Sequence, residues 1–331
     1  MTIYTAVQPT GQLHLGNYLG AILPFIKMAN ERSDVPSFMA IADIHATTLP
    51  YKAKELKASC LSMARMLIAC GLTDNTVLYR QSALPGHFML SKIIEHMSTM
   101  GDLGRMTQFK SKGGEDSESI PLGLFTYPCL MASDIMLFGS HYVPVGDDQT
   151  QHLEFACKMI RKFNKKMKPD VDFRIPQAIK VEGASRIMSL SDPLKKMSKS
   201  DPVQTGVIYL TDDRMTVERK IKKAKSGSGY IPDTLESLDD IEYRAMDNLF
   251  HLLSFFSGES VQELIKVFAG CGNMALKDAL FTSINNHLDP IRKRASELSD
   301  HDVEEILKEG ANKALEHSTP YLNRAMSAAG F

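Results

Sequence analysis

Apolar and polar positions in the first half of the chain switch repeatedly between two periods. Thr2–Val7, Ser37–Ala42, Thr76–Tyr79 and His141–Val145 are short runs rich in apolar and β-branched residues, as buried strands are. Between them the apolar residues recur every three or four positions. Leu19, Ile22, Leu23 and Ile26 do so after Asn17, and Leu56, Ala58, Leu61, Met63, Ala64 and Ile68 do so within 52–70. Strand, helix, strand, helix, strand predicts an α/β fold with a doubly wound parallel sheet and right-handed crossovers. From Gly86 to Lys110 the pattern is helical, broken near Gly101 and Gly104, so it reads as an insertion between the two halves of the sheet. Its apolar positions Met89, Leu90, Ile93, Ile94, Met97 and Met100 form either core or a subunit contact. Leu122–Phe138 is a long apolar helix, and 150–164 is another helix.

Beyond a short strand expected at Gly206–Leu210, the remainder is amphipathic helix: 213–225, 241–256, 260–269, 273–297 and 300–326. The last carries Val303, Ile306, Leu307, Ala311, Ala314 and Leu315 on one face, and Ser226-Gly227-Ser228-Gly229 with Pro232 forms a linker after the first. The expected division is a catalytic domain 1–195 with a helical insertion at about 86–125, a hinge loop 196–206, and an all-helical domain 207–331. The hinge holds Lys196-Met197-Ser198-Lys199-Ser200 between Pro193 and Pro202, which predicts an exposed loop.

Charge narrows the partners. Lys and Arg total 38 against 39 Asp and Glu, so there is no global field for nucleic acid or membrane, and such binding would need local patches. Lys158, Arg161, Lys162, Lys165, Lys166 and Lys168 form one such stretch, suited equally to a phosphate backbone and to a solvated face. Five cysteines without paired spacing argue against a disulfide framework and a zinc site, and fit a reducing cytoplasm. Neither a signal peptide nor an apolar run of membrane-spanning length is expected.

The chemistry-bearing residues gather after strands. Gln8-Pro9-Thr10-Gly11-Gln12-Leu13-His14-Leu15-Gly16-Asn17 is a tight connection from the first strand into a helix, whose free N–H groups suit an anion. His14 is either a donor to a phosphate or an ordinary turn histidine. Asp43-Ile44-His45-Ala46 follows the second strand, and Gly146-Asp147-Asp148-Gln149 follows the fourth, at the ligand-binding edge of a parallel sheet. Asp147 and Asp148 suit a ribose or magnesium, and equally a helix cap. Asp134 sits in the apolar helix two turns from Tyr127, and is either a structural cap or ion-pair partner, or the acceptor of a ligand N–H. The hinge lysines suit a polyphosphate leaving group, or are simply solvated, as lysine-rich loops usually are.

His14-Leu15-Gly16-Asn17 and Lys196-Met197-Ser198-Lys199-Ser200 together resemble the two signature sequences of class I aminoacyl-tRNA synthetases, the second without alteration. Leu15 and Asn17 depart from the commonest form of the first. That departure is similar to the tryptophanyl branch, as are Gly16-Asn17-Tyr18-Leu19-Gly20-Ala21, Asp43-Ile44-His45-Ala46, Met106-Thr107-Gln108-Phe109-Lys110, Val143-Pro144-Val145-Gly146-Asp147-Asp148-Gln149 and Arg186-Ile187-Met188-Ser189-Leu190. The resemblance runs from about residue 2 to the end, and implies a Rossmann-type catalytic domain and an anticodon-binding helical domain whose last helix packs back on it.

The same resemblance implies ATP with Mg2+, L-tryptophan and tRNA(Trp) as reactants, a homodimer, and no permanently bound cofactor or metal. It implies catalytic roles for His14, Lys112, Lys196 and Lys199. It implies ATP contacts at Gln8, Pro9, Thr10, Gly16, Asn17, Gly146, Asp147, Asp148, Ile187 and Lys196-Met197-Ser198-Lys199-Ser200. Tryptophan contacts are implied at Tyr4, Gln8, His45, Tyr127, Met131, Asp134, Val143, Val145 and Gln149. Tyr4 is a mild departure, since an aromatic without a hydroxyl would be the simpler wall for an indole. Two other readings stand beside this one: a tyrosyl-tRNA synthetase, and a non-catalytic paralogue that senses tryptophan or binds RNA. Neither a Gly-Lys-Ser/Thr phosphate loop nor Gly-x-Gly-x-x-Gly follows the first strand, which excludes ordinary kinase and dehydrogenase readings.

Overall fold

The computed structural model describes residues 1–48, 50–72, 75–107, 109–110, 121–146, 149–167, 172–179, 187–199, 201, 203–227 and 229–331. Five parallel strands, β1 (Ile3–Val7), β2 (Ser37–Ile41), β3 (Thr76–Arg80), β4 (Tyr142–Pro144) and β5 (Gln177–Ile179), lie in the order β3-β2-β1-β4-β5. Every residue of β2 is buried, as expected for a central strand covered on both faces. Alternation along the strands splits the core in two. Ile3, Met39 and Ile41 point into one hydrophobic cluster, whereas Tyr4, Phe38, Ala40 and Tyr79 point into the other.

The order of the strands reverses between β1 and β4, and there the sheet opens. These two strands pair only at Ile3 with Tyr142, while β1 and β2 stay in register from Ile3–Ser37 to Val7–Ile41. Pro144 has no N–H to offer a neighbour. A crevice at the carboxyl end of the strands follows from the topology.

The helix expected from Asn17 begins two residues earlier, as Leu15–Asn17, the π-helical Tyr18–Ile22 and Leu23–Glu31. The helical insertion forms Gly86–Met97 and Met100–Leu103, and the apolar helix spans Leu122–Leu137. The expected strand at Gly206–Leu210 is not part of the sheet. Gln204–Gly206 is a 3₁₀ turn, and the next residues pair with the first turn instead: Leu15 N donates to Ile208 O at 2.9 Å and Leu210 N to Leu13 O at 2.9 Å. The apolar run Val207-Ile208-Tyr209-Leu210 imitates a strand because three of its side chains are buried, though its backbone serves a loop.

The distal half consists of helices Arg214–Lys222, Asp240–Ser257, Val261–Phe268, Asn273–Glu297 and Asp300–Ala329. Their ends carry the expected chemistry, with capping boxes at Ser260/Glu263 and Ser299/Asp302 and a left-handed Gly258 after Ser257. The final helix crosses back onto β3, the edge strand. Gly310 permits that approach: a Cβ there would stand 1.8 Å from the Leu78 carbonyl oxygen. The edge is thereby covered by a helix rather than left open. Tyr18 Oη and His287 Nε2 (2.8 Å) and Arg294 Nε to Ala69 O (2.7 Å) join the proximal and distal halves. Among the described residues no helix is long and apolar enough to cross a membrane.

Candidate active site

One cavity of about 490 Å³ occupies the crevice between β1 and β4. It is lined by Tyr4, Gln8, Thr10, Gly16, Asn17, His45, Tyr127, Met131, Asp134, Val143, Val145, Gly146, Gln149, Lys196 and Lys199, all of them expected from the sequence. Thr5, Ala6, Gly20, Ala21, Ala42, Ile135 and Pro144 also line it and were not expected. Pro9, His14, Ile187, Met197 and Ser198 are not among its lining residues. Lys112, Asp147, Asp148 and Ser200, with Gln108 and Arg186 of the family motifs, lie outside the described residues.

The two signatures meet at one end of this cavity. His14 caps the first helix, its Nδ1 accepting from Asn17 N at 3.3 Å. Gly16 is needed beside it, because a Cβ there would lie 3.0 Å from the imidazole. The Lys199 ammonium donates to Thr10 O, so the lysine segment closes directly over the first turn. That segment is less exposed than expected: Met197 is buried, Met197 N donates to Ile187 O at 2.9 Å, and Ser189 N donates to Lys195 O at 2.8 Å. A buried methionine anchors the loop while Lys196 and Lys199 face the cavity. Asn17 Oδ1 is buried there without a hydrogen-bond partner among the described residues, a polar group set where a ligand would satisfy it.

Burial, then the charges of Lys199 and Lys196, lower His14 to about 4. With Nδ1 accepting from the backbone, the neutral ring carries its proton on Nε2 and can donate from there. An unfolded chain protonates this histidine near 6.5, so its contribution to stability is complete above that pH and is lost as pH falls through about 4. The stability of a His14→Gln variant, followed by urea unfolding from neutral pH down to pH 4, is expected to fall less steeply with acid than that of the wild type. Parallel curves would contradict this protonation state. Burial also lowers Lys199 from the ordinary lysine range.

The other end of the cavity is apolar around a single anion. Tyr4, Val143 and the helix Leu122–Leu137 supply its walls, and the Tyr4 ring stacks on Phe138 at 5.1 Å. Asp134, only 2% exposed, receives Gln81 Nε2 at 2.8 and 2.9 Å and His45 Nε2 at 3.0 Å, with His87 Nδ1 at 2.7 Å. Burial opposes its ionisation, but His87 and His45 outweigh that and hold the carboxyl well below the usual range. Both structural pairing and a cavity-facing position therefore hold for Asp134. Tyr127 Oη bonds His152 Nε2, and His152 Nδ1 lies 3.2 Å from Gln149 Oε1, which links two expected cavity residues through an unexpected one.

Asp43 does not line the cavity, and instead accepts from Ser82 N at 2.9 Å and from Ser82 Oγ, fixing the turn that carries Gln81. In the basic stretch, Lys158 pairs with Asp102 at 2.6 Å and Lys162 donates to Met97 O, so two of its charges serve internal contacts. Gln81, His87 and His152 escaped the sequence reading. Gln81 follows the end of β3, where the rule that singled out Asp43 and Gly146 would have found it.

A polar, cationic mouth and a largely apolar slot with a fixed anion suit a ligand with phosphates at one end and an apolar donor group at the other. Residues 1–289 match the family model for class I tRNA synthetases (W and Y). The chain is 39% identical over 313 residues to the tryptophan–tRNA ligase of Caldanaerobacter subterraneus subsp. tengcongensis, covering 94% of this chain and 93% of that one. The crystal structure of tryptophanyl-tRNA synthetase from Mycoplasma pneumoniae superimposes with a TM-score of 0.86 at 33% identity, covering 100% of this chain and 98% of that one. The Campylobacter jejuni enzyme, solved with ADP and tryptophan, gives 0.84 at 29% identity with both chains covered in full.

Proposed function

The chain belongs to the class I tRNA synthetases that serve tryptophan and tyrosine, and from that premise we propose that it activates L-tryptophan with ATP and transfers it to tRNA(Trp). The observation that carries this reading is a single cavity with Lys196, Lys199 and Gly16 at one end and the buried Asp134 anion at the other. In the first step a carboxylate oxygen of tryptophan attacks the α-phosphorus of ATP in line, the bond to the β-phosphate oxygen breaks, and pyrophosphate leaves. In the second, a hydroxyl of the terminal tRNA ribose attacks the aminoacyl carbonyl and AMP leaves.

The positions of the residues around the cavity support the following roles. Gln8, Thr10, Gly16 and Asn17 receive ATP at the first helix, and Gly146 bounds the ribose side, with Asp147 and Asp148 following it in sequence. His14 Nε2 donates toward the phosphates, while Lys196 and Lys199, with Lys112, neutralise charge on the departing pyrophosphate. Magnesium bound to the phosphates would share that neutralisation. Tyr4, His45, Tyr127, Met131, Val143 and Val145 enclose the indole, Asp134 accepts its N–H, and Gln149 lies toward the amino group. Pro9, Met197 and Ser198 shape the first turn and the lysine loop, and the Ile187 backbone, which accepts from Met197 N, is assigned to the adenine side.

The distal helices 207–331 take the anticodon side of tRNA, with 196–206 as the hinge, and the remaining exposed cations Arg161, Lys165 and Lys166 are available to its backbone. A homodimer is supported by Phe88, Met89 and Met100, exposed by 49%, 44% and 76% on the inserted helices. A monomer alone in sedimentation at micromolar concentration would remove it. The activity is tested by ATP–pyrophosphate exchange with each amino acid in turn. Exchange driven by tryptophan and not by tyrosine is expected, and exchange driven only by tyrosine, or by neither, would overturn the reading.

A further inference from the structure

Behind the cavity wall lies a set of buried polar side chains with no place in the steps above. His87 is fully buried on the helix Gly86–Met97, and its Nδ1 stands 2.7 Å from Asp134 Oδ1 in a short but bent contact. Its Nε2 lies 3.1 Å from the hydroxyl of Tyr79, at the end of β3, and the two rings stack at 6.0 Å with an interplanar angle of 15°. Its carbonyl accepts from Ser133 Oγ at 2.7 Å, which ties its backbone to the residue preceding Asp134. Gln81 is also fully buried, and its amide nitrogen bridges both oxygens of the carboxylate. A carbonyl facing that anion would be repelled, so the amide must present its N–H.

These contacts fix the protons. A lone pair on His87 Nδ1 would be repelled by the Asp134 carboxylate 2.7 Å away, so the imidazole proton belongs on Nδ1, which leaves Nε2 to accept from the Tyr79 hydroxyl. Gln81 and His45 add further donors from two other elements. A carboxylate surrounded by donors has no proton of its own to offer, yet it lines the cavity, so toward a ligand there it can act only as an acceptor.

We propose that Tyr79, Gln81 and His87 are positioning residues that hold Asp134 as a pure hydrogen-bond acceptor, and that this cradle, rather than the slot's shape, selects a ring bearing an N–H donor. The inference rests on the reading of Asp134 as the indole acceptor. Loss of a cradle donor lets the carboxylate turn out of line with that N–H, while the apolar slot still accepts a ring of the same shape.

The test compares tryptophan with its benzothiophene analogue, in which sulfur replaces the ring N–H, as substrates for ATP–pyrophosphate exchange. His87→Leu is expected to lower the wild-type preference for tryptophan about tenfold through KM for tryptophan, with KM for ATP and kcat little changed. His87→Asn, whose amide can occupy the place of Nδ1, is expected to recover most of it. Tyr79→Phe removes only a hydroxyl and is expected to shift the preference in the same direction, which keeps the test decisive if the leucine variant does not fold. Equal losses toward both amino acids in the His87 and Tyr79 variants would overturn the cradle, as would failure of asparagine to restore the preference. A wild-type enzyme that takes tryptophan but does not distinguish it from the analogue would overturn the role of Asp134 and the cradle together. Exchange with tyrosine alone would instead reject the function on which both rest.

Discussion

Lys199→Ala is expected to slow tryptophanyl-adenylate formation by about a hundredfold to a thousandfold while leaving the Kd for tryptophan within about threefold. The asymmetry follows from where the ammonium stands. Lys199 reaches the first turn, donating to Thr10 O at the mouth of the cavity, while Asp134 marks the indole end. Burial already pulls the lysine below its ordinary pKa, so a desolvated cation waits for a negative partner. A carbonyl oxygen satisfies it only in part, and a phosphate oxygen gaining charge satisfies it better as the reaction proceeds. Single-turnover measurement of adenylate formation, with tryptophan affinity measured separately by fluorescence of the bound ligand, separates the two effects. Equal losses in rate and affinity would mean that Lys199 holds the closed loop in place and does not act on the leaving group.

The loop also shows which part of the molecule can be read from residues alone. Strand and helix periods in the first half yield β1 to β4 and the helices that follow them, because a fully buried parallel strand such as Ser37–Ile41 has little freedom in composition. The edge strand Gln177–Ile179 leaves no such mark: two of its three residues are exposed. Val207-Ile208-Tyr209-Leu210 leaves a false one, because burial of a loop and burial of a strand select the same side chains. The buried Met197 belongs to the same class of error. A lysine-rich segment between prolines looks solvated, and one methionine anchors it.

The site divides along the same line. Residues placed by chain direction, after β1, β2 and β4, were legible as a group, and most of them line one cavity. The partners of Asp134 were not, for Gln81 is 53 residues away in sequence and no periodicity links them. Sequence leaves an apolar helix with a carboxylate in it and two explanations, a structural pair or a ligand contact. Folding makes both true, because the donors that stabilise the anion from behind leave it facing the crevice.

That double role gives the second large effect its form. Asp134→Asn keeps the volume of the side chain and removes its charge. The asparagine has to place its NH2 somewhere among donors: turned toward the ligand it opposes the indole N–H, and turned away it opposes the donors of Gln81, His45 and His87. A site built around a donor–acceptor pair loses far more from such a mismatch than an apolar pocket loses from a change of one group. The expected result is a fall in kcat/KM for tryptophan of about a thousandfold, with KM for ATP within about threefold of wild type. His87 and His45 hold the carboxyl well below the usual range, so the wild-type KM for tryptophan should stay flat as pH falls toward 5, with no acid limb from this group. A wild-type KM that rises in that interval would show Asp134 taking up a proton there, and an asparagine variant with near-normal kcat/KM would show that slot shape alone selects tryptophan.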